Sequence, residues 1–153
     1  MNGIPLDILE RTNVRSRQLR ELVNQPETLV MPGAYNGLTA RLFESMGFQA
    51  IQCTSGGIAA SLGYMDGEVL TREQTLGVSH LIADAVTIPV NGDGEKGYGN
   101  AADIKDTVKG YVLAGCAGMN LEDSANRLPG ELLTLLPIDQ YLIKLDAAMI
   151  SKR

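Results

Sequence analysis

The stretch Pro89-Val90-Asn91-Gly92-Asp93-Gly94-Glu95-Lys96-Gly97-Tyr98-Gly99-Asn100 decides how the rest of the chain is read. Its apolar lead-in, Thr87 to Val90, has strand character, and two carboxylates spaced two residues apart then run into Gly97-Tyr98-Gly99. A lone acidic turn beside glycines is ordinarily a solvated loop. What matters is whether the pattern recurs after other strands.

Upstream, the first 25 residues have a helical pattern, with Ile4, Ile8, Leu9, Leu19, Leu22 and Val23 apolar between Arg and Glu, and Pro26 closes it. Thr28 to Met31 is a short β-like run, broken by Pro32-Gly33. A helix with Leu38, Leu42, Phe43 and Met46 at helical spacing follows, and Gly47 is placed to cap it. Phe48 to Ser55 forms a second apolar strand leading into a glycine-rich loop. Thr71-Arg-Glu-Gln74 is a capping box that opens a helix to about Ala85. Thr87 to Asp93 is the third strand, residues 100–115 the third of these helices, and Ala117 to Asp123 the fourth strand. Loop text over 124–136 leads to a last helix, with Pro137 in its first turn.

Residues 1–26 thus read as an N-terminal helix and residues 27–153 as four βα units of one domain. Short strands, apolar on both faces and alternating with helices, argue an α/β fold with a parallel sheet and right-handed crossovers. Two architectures satisfy this pattern: an open doubly wound sheet, or part of a (β/α)8 barrel.

Bulk properties narrow the function classes. The 153 residues are 44% hydrophobic and 20% charged, which is ordinary for a globular domain. A formal net charge of −5 argues against a nucleic-acid partner. No apolar run approaches the ~18 residues of a membrane span, and the N-terminus lacks the apolar segment of a signal peptide. Cys53 and Cys116 form no CxxC pair and read as buried free thiols, which fits the cytoplasm.

Either architecture puts its ligand site at the carboxyl ends of the parallel strands. Tyr35 follows the first strand. Ser55, Gly56 and Gly57 follow the second, with Asp66 further along that loop; Asp93 and Glu95 follow the third, and Glu122 ends the fourth. Neighbouring strands lie ~4.8 Å apart, so these side chains can meet around one centre. Clustered carboxylates repel one another unless a cation compensates. With no His or Cys in the set, hard Mg²⁺ (with Mn²⁺ as the alternative) suits them better than zinc. Thr54 to Gly57 can offer backbone N–H groups to a carboxylate or phosphate. His80, the only histidine, lies mid-helix and reads as a surface or packing residue.

From about Pro32 to Ser124 the chain resembles the isocitrate lyase / phosphoenolpyruvate mutase superfamily. The resemblance rests on Asp93-Gly-Glu95-Lys-Gly-Tyr-Gly99, followed one βα unit later by Gly115-Cys-Ala-Gly-Met-Asn-Leu-Glu122-Asp123. It implies the N-terminal half of a TIM-type (β/α)8 barrel, with Mg²⁺ held largely through water by Asp93, Glu95 and Glu122. Asp66 would support that shell, and Ser55 to Gly57 would hold a substrate carboxylate. The implied activity is a carbon–carbon lyase working on a small 2-oxo or 2-hydroxy acid through an enolate-like species. A phosphonopyruvate-directed mutase or hydrolase is the alternative within the superfamily, and a truncated, non-catalytic oligomerisation module the alternative outside it. The resemblance also implies a homo-oligomer.

Three departures qualify this. Residues 124–140 contain no Cys, Lys or His, whereas lyases of the superfamily usually carry a Lys-Lys-Cys-Gly-His loop there, so no catalytic acid or base is assigned. Glu95 stands where Asp is commoner, and its extra methylene moves the carboxylate by about 1.5 Å. A complete barrel needs ~250 residues. The chain therefore reads as a fragment of a longer protein, as one of two mutually completing copies, or as a refolded open sheet, with the fragment favoured.

Overall fold

A computed structural model describes residues 5–66, 70–125, 132 and 134–151. The element order is α1 (Leu6–Val23), β1 (Gly33–Ala34), α2 (Gly37–Ser45), β2 (Ile51–Cys53), α3 (Ser55–Ser61), α4 (Arg72–Ala85), β3 (Val90–Asp93), α5 (Ile104–Leu113), β4 (Gly118–Asn120) and α6 (Ile138–Ser151). The part of the expected loop at 126–131 and 133, and the ends at 1–4 and 152–153, lie outside the described residues.

The four strands form one parallel sheet in the order β1-β2-β3-β4. That order separates the two architectures. A doubly wound sheet reverses direction at a switch point, whereas a barrel adds each strand beside the last. The fold is half of a TIM-type barrel, with β1 and β4 at its edges.

Local chemistry sets the element ends. Asn36 caps α2, its Oδ1 accepting the Thr39 N–H at 2.9 Å, and Gly47 leaves the helix at φ 89°. The expected box on α4 is present: Gln74 N–H donates to Thr71 Oγ1 at 3.2 Å, and Thr71 N–H donates to Gln74 Oε1 at 2.8 Å.

Three expectations need correction. The first strand is Gly33–Ala34 rather than Thr28 to Met31, and pairing begins where the Gln52 N–H reaches Pro32 O at 3.1 Å. Pro32 has the character of a breaker, but at the start of an edge strand its missing N–H costs no ladder bond. The glycine-rich text after β2 is also a helix, α3, because Ile58 and Ala59 bury themselves in the core. Finally, the strands are apolar on the helix-facing side only. Ile51, Cys53 and Val90 are buried there. On the other face, the Asn91 amide donates to Gln52 Oε1 at 2.8 Å and to Asn120 Oδ1 at 2.7 Å. A row of amides hydrogen-bonded across β2, β3 and β4 thus lines what is the barrel interior.

Helix α1 closes the amino-terminal end of the sheet. The buried Arg15 guanidinium donates to Ala83 O at 2.9 Å, to Gly115 O at 3.4 Å and to Val86 O. Ser16 Oγ donates to Ala117 O at 2.5 Å. Glu44 ties α2 to the segment entering β3, accepting Thr87 N–H at 2.8 Å, Thr87 O–H at 2.7 Å and Ile88 N–H at 3.2 Å.

Replacing Arg15 with Met leaves its buried carbonyls without their donor, and we expect a loss of about 3 kcal/mol in urea unfolding. The hydrogen bonds from Thr87 hold the Glu44 carboxyl below its ordinary range. A carboxyl whose folded pKa is depressed contributes fully above its unfolded value, about 4.3, and loses that contribution as pH falls through the lower folded value. The urea midpoints of the wild type and Glu44→Gln should therefore converge as pH drops below that range.

Candidate active site

The carboxyl ends of the strands carry the candidate residues, and Asp93 is where they join. As the last residue of β3, its Oδ2 accepts the Ser55 N–H at 3.0 Å and its Oδ1 the Glu95 N–H at 3.3 Å. The first of these bonds crosses from β3 to the start of α3. A helix start leaves its first N–H groups without acceptors inside the helix. Asp93 takes that of Ser55, and those of Gly56 and Gly57 have none within α3.

The two glycines are small for a reason. A Cβ on Gly56 would sit 3.0 Å from Asp66 Oδ1, and one on Gly57 would sit 2.7 Å from Thr54 Cγ2 and 3.2 Å from Tyr35 Cβ. Asp66 and Tyr35 therefore pack directly on the α3 start, which brings Tyr35, Ser55, Gly56, Gly57, Asp66 and Asp93 together. Tyr35 and Asp66 are exposed.

The loop after β3 folds back on the end of β4. Gly94 N–H donates to Asn120 O at 3.1 Å, Gly97 N–H to Gly94 O at 2.8 Å, and Glu122 N–H to Glu95 O at 2.8 Å. Glu95 is buried with φ 47°, a left-handed conformation uncommon for a residue with a side chain. Glu122 is exposed, and its Oε2 accepts the Ser124 hydroxyl at 2.8 Å.

The loop is also gripped from beneath. Tyr98 O–H lies 3.0 Å from Thr75 Oγ1 on α4, Thr107 O–H of α5 donates to Gly97 O at 2.9 Å, and Tyr111 O–H donates to Asp93 O. Burial pushes the Tyr111 phenol well up, so it stays a protonated donor. Sequence reasoning singled out none of these three clamps. A Thr or Tyr inside a helix carries no mark of the loop carbonyl it will meet, although "GYG" flagged Tyr98 as part of the loop.

Among the described residues, no three Asp, Glu, His or Cys side chains gather closely enough to ligate one metal ion directly. Asp66, Asp93, Glu95 and Glu122 lie at or beyond the carboxyl ends of β2, β3 and β4, an acidic rim made of oxygen donors only. Oxygen donors are the ligands that a hard cation takes. Zinc, which wants a compact set of N and S ligands, does not fit. His80 is exposed on α4, its Nδ1 3.4 Å from Ala114 O and away from the rim. Cys53 and Cys116 are buried free thiols in the helix–sheet layer, where their mutual hydrogen bond and burial push the Cys116 thiol well up. A cavity of about 660 Å³ lies elsewhere, bounded by α1, α5, β4 and α6, and none of the four acidic residues lines it.

The half barrel carries acidic residues and glycines at the carboxyl ends of its strands, and comparison with known proteins identifies its family. The profile of the phosphoenolpyruvate phosphomutase family matches residues 19–153, so the chain belongs to that family, within the isocitrate lyase / phosphoenolpyruvate mutase superfamily. It is 36% identical over 107 residues to 2,3-dimethylmalate lyase of Eubacterium barkeri, covering 69% of this chain and 37% of that protein. The crystal structure of phosphoenolpyruvate phosphomutase from Streptomyces platensis subsp. rosaceus superposes with a TM-score of 0.82 at 36% identity, over 90% of this chain and 50% of that one. Phosphonopyruvate hydrolase in complex with oxalate and Mg²⁺ superposes with a TM-score of 0.83 at 27% identity, over 91% and 48%. The chain thus spans between about a third and a half of the length of these proteins.

The close approach of β4 makes Gly94 a sensitive position. A Cβ there would lie 2.4 Å from Asn120 O, a backbone atom that cannot swing away. Gly94→Ala should lower the thermal midpoint by several degrees, on the order of 1–3 kcal/mol for overpacking, in a melt followed by circular dichroism.

Proposed function

We propose that the chain forms the metal- and carboxylate-binding half of a Mg²⁺-dependent carbon–carbon lyase acting on a small 2-oxo or 2-hydroxy acid through an enolate-like species. The observation that supports this reading is the Asp93 carboxylate bonded to the Ser55 N–H, which joins the acid after β3 to the segment we assign to the substrate carboxylate. An anionic substrate beside a carboxylate is repelled unless a cation lies between them.

In this reading Asp93, Glu95 and Glu122 hold the cation and its waters, and Asp66 supports that shell. When bound, Mg²⁺ supplies charge compensation where negative charge develops on the substrate. The Ser55 hydroxyl and the backbone N–H groups of Gly56 and Gly57 orient the substrate carboxylate, and Tyr35 walls the pocket. No residue is assigned as the general acid or base. Mn²⁺ would serve the same oxygen donors.

The pocket is completed by protein packed against the two sheet edges, and we place the chain in a homo-oligomer. Support comes from the edge positions of β1 and β4 and from the exposed Ile138, Leu142, Ile143, Met149 and Ile150 on α6. A cytoplasmic setting accords with the two free thiols. A phosphonate-directed reaction is the second reading, favoured by the match to the phosphomutase family, because the same donors suit a phosphonate.

Calorimetric titration of oxalate, with and without Mg²⁺, tests the proposal. Binding should require Mg²⁺, and Asp93→Asn should weaken it at least tenfold, or ~1.4 kcal/mol. Tighter competition by phosphonopyruvate than by oxaloacetate would select the second reading. Absence of Mg²⁺-dependent binding in a folded sample would favour the non-catalytic module.

A further inference from the structure

The Glu95 and Glu122 loops share a support from outside the sheet. Helix α6 comes after both loops in sequence, and two of its side chains reach back to them. Tyr141 O–H donates to Leu121 O at 2.8 Å, and the Lys144 ammonium donates to Lys96 O at 2.8 Å. Leu121 immediately precedes Glu122, and Lys96 immediately follows Glu95. Tyr141 and Lys144 are three residues apart, hence neighbours on one face of the helix, and both are half-buried.

We propose that Tyr141 and Lys144 are positioning residues that set the separation and orientation of the Glu95 and Glu122 carboxylates, making α6 the brace of the acidic rim. The Gly94 N–H to Asn120 O and Glu122 N–H to Glu95 O bonds already join the two loops along one seam. Bonds along one seam leave the loops free to hinge about it. Two further bonds from one rigid helix, one to each loop, remove that hinge. The result is a closed triangle of α6, the Glu95 loop and the Glu122 loop.

Both braces are side-chain donors to backbone carbonyls. They therefore act on the loop backbone and not on the carboxylates. The Lys144 bond is charge-assisted and the stronger in kind, and its ammonium also places positive charge beside the loop that carries Asp93 and Glu95. The inference rests on the proposed function only for what the rim binds; the bracing is a property of the ligand-free fold.

The test therefore has two readouts on the full chain. Amide hydrogen exchange needs no ligand and reports local opening. In Tyr141→Phe and in Lys144→Met, the Glu122 amide should exchange at least tenfold faster. The amides of Ile51 and Thr54, bonded within the sheet to Pro89 O and Ala34 O, should stay within twofold of wild type. Lys144→Arg, which keeps a charged donor, should restore slow exchange at Glu122. In the second readout, Mg²⁺-dependent oxalate affinity should fall about tenfold in Tyr141→Phe and Lys144→Met and recover in Lys144→Arg.

Unchanged exchange at Glu122 overturns the proposal, as does acceleration that spreads equally to Ile51 and Thr54, since that marks general destabilisation. If the wild type binds oxalate and both variants bind it equally well, the proposal also falls. If the wild type binds no oxalate, the proposed function fails, and the exchange pattern alone decides whether α6 braces the rim.

Discussion

The Arg15 guanidinium is the tie on which the rest of the fold depends. Its acceptors are Ala83 O in the last turn of α4, Val86 O just past it, and Gly115 O just past α5. Carbonyls at helix ends carry the negative pole of the helix and lack partners of their own. One buried cation satisfies three of them and fixes the points from which β3 and β4 set out. Burial draws the guanidinium pKa down from its usual value, but arginine stays charged in proteins. The amino-terminal end of the sheet is held by this contact together with those of Ser16 and Glu44. The carboxyl-terminal end is thereby left to carry the strained loop and the acidic residues, the division of labour that TIM-type barrels show between their two faces.

Between these ends the sheet has two unlike faces. Toward the helices, Ile51, Cys53, Val90 and Tyr111 make an apolar layer, and Gly92 is bare because the Tyr111 ring lies against it. Toward the barrel interior, the Gln52–Asn91–Asn120 amides run across three strands. Parallel strands are usually apolar on both faces. Here the interior face forms a polar floor under the rim, and each amide bond is satisfied within the sheet instead of by a facing apolar layer. A half barrel with such a floor can keep its interior wetted, where a floor of Val and Ile would demand cover.

How much of this was legible follows from what each signal encodes. Helix boundaries were read well where the code is local: the Thr71/Gln74 box, Gly47 after α2, and Pro137 before α6. The acidic positions at strand ends were legible because parallel alternation forces all carboxyl ends to one side. The α3 helix was hidden by Gly56 and Gly57, whose low helix propensity is overridden by burial of Ile58 and Ala59. The β1 register was missed because an edge strand of two residues is defined by its partner, Gln52 and Cys53, rather than by its own composition. Arg15, Tyr111, Tyr141 and Lys144 left no trace in the text. Each acts on a backbone carbonyl at least 18 residues away, and a carbonyl looks the same in every residue.

The spacing of Asp93 and Glu95 can now be given a physical reason. In a continuing strand, residues two apart point to the same face, and both carboxylates would project inward at successive levels. The chain instead turns at Gly94, where β4 leaves no room for a side chain, and Glu95 takes φ 47°. A non-glycine residue in that region costs on the order of 1–2 kcal/mol, and glycine would remove the cost. What offsets it is visible: Asp93 accepts the Glu95 N–H, and Glu95 O accepts the Glu122 N–H. Glycine could form both bonds equally well, but it would supply no carboxylate. Under the proposed function, the strain is the consequence of requiring an acid at a position whose backbone geometry favours glycine. Strained residues of this kind cluster at functional sites, and among the described residues the two non-glycine positions with positive φ, Glu95 and Tyr98 at 55°, both lie in this loop.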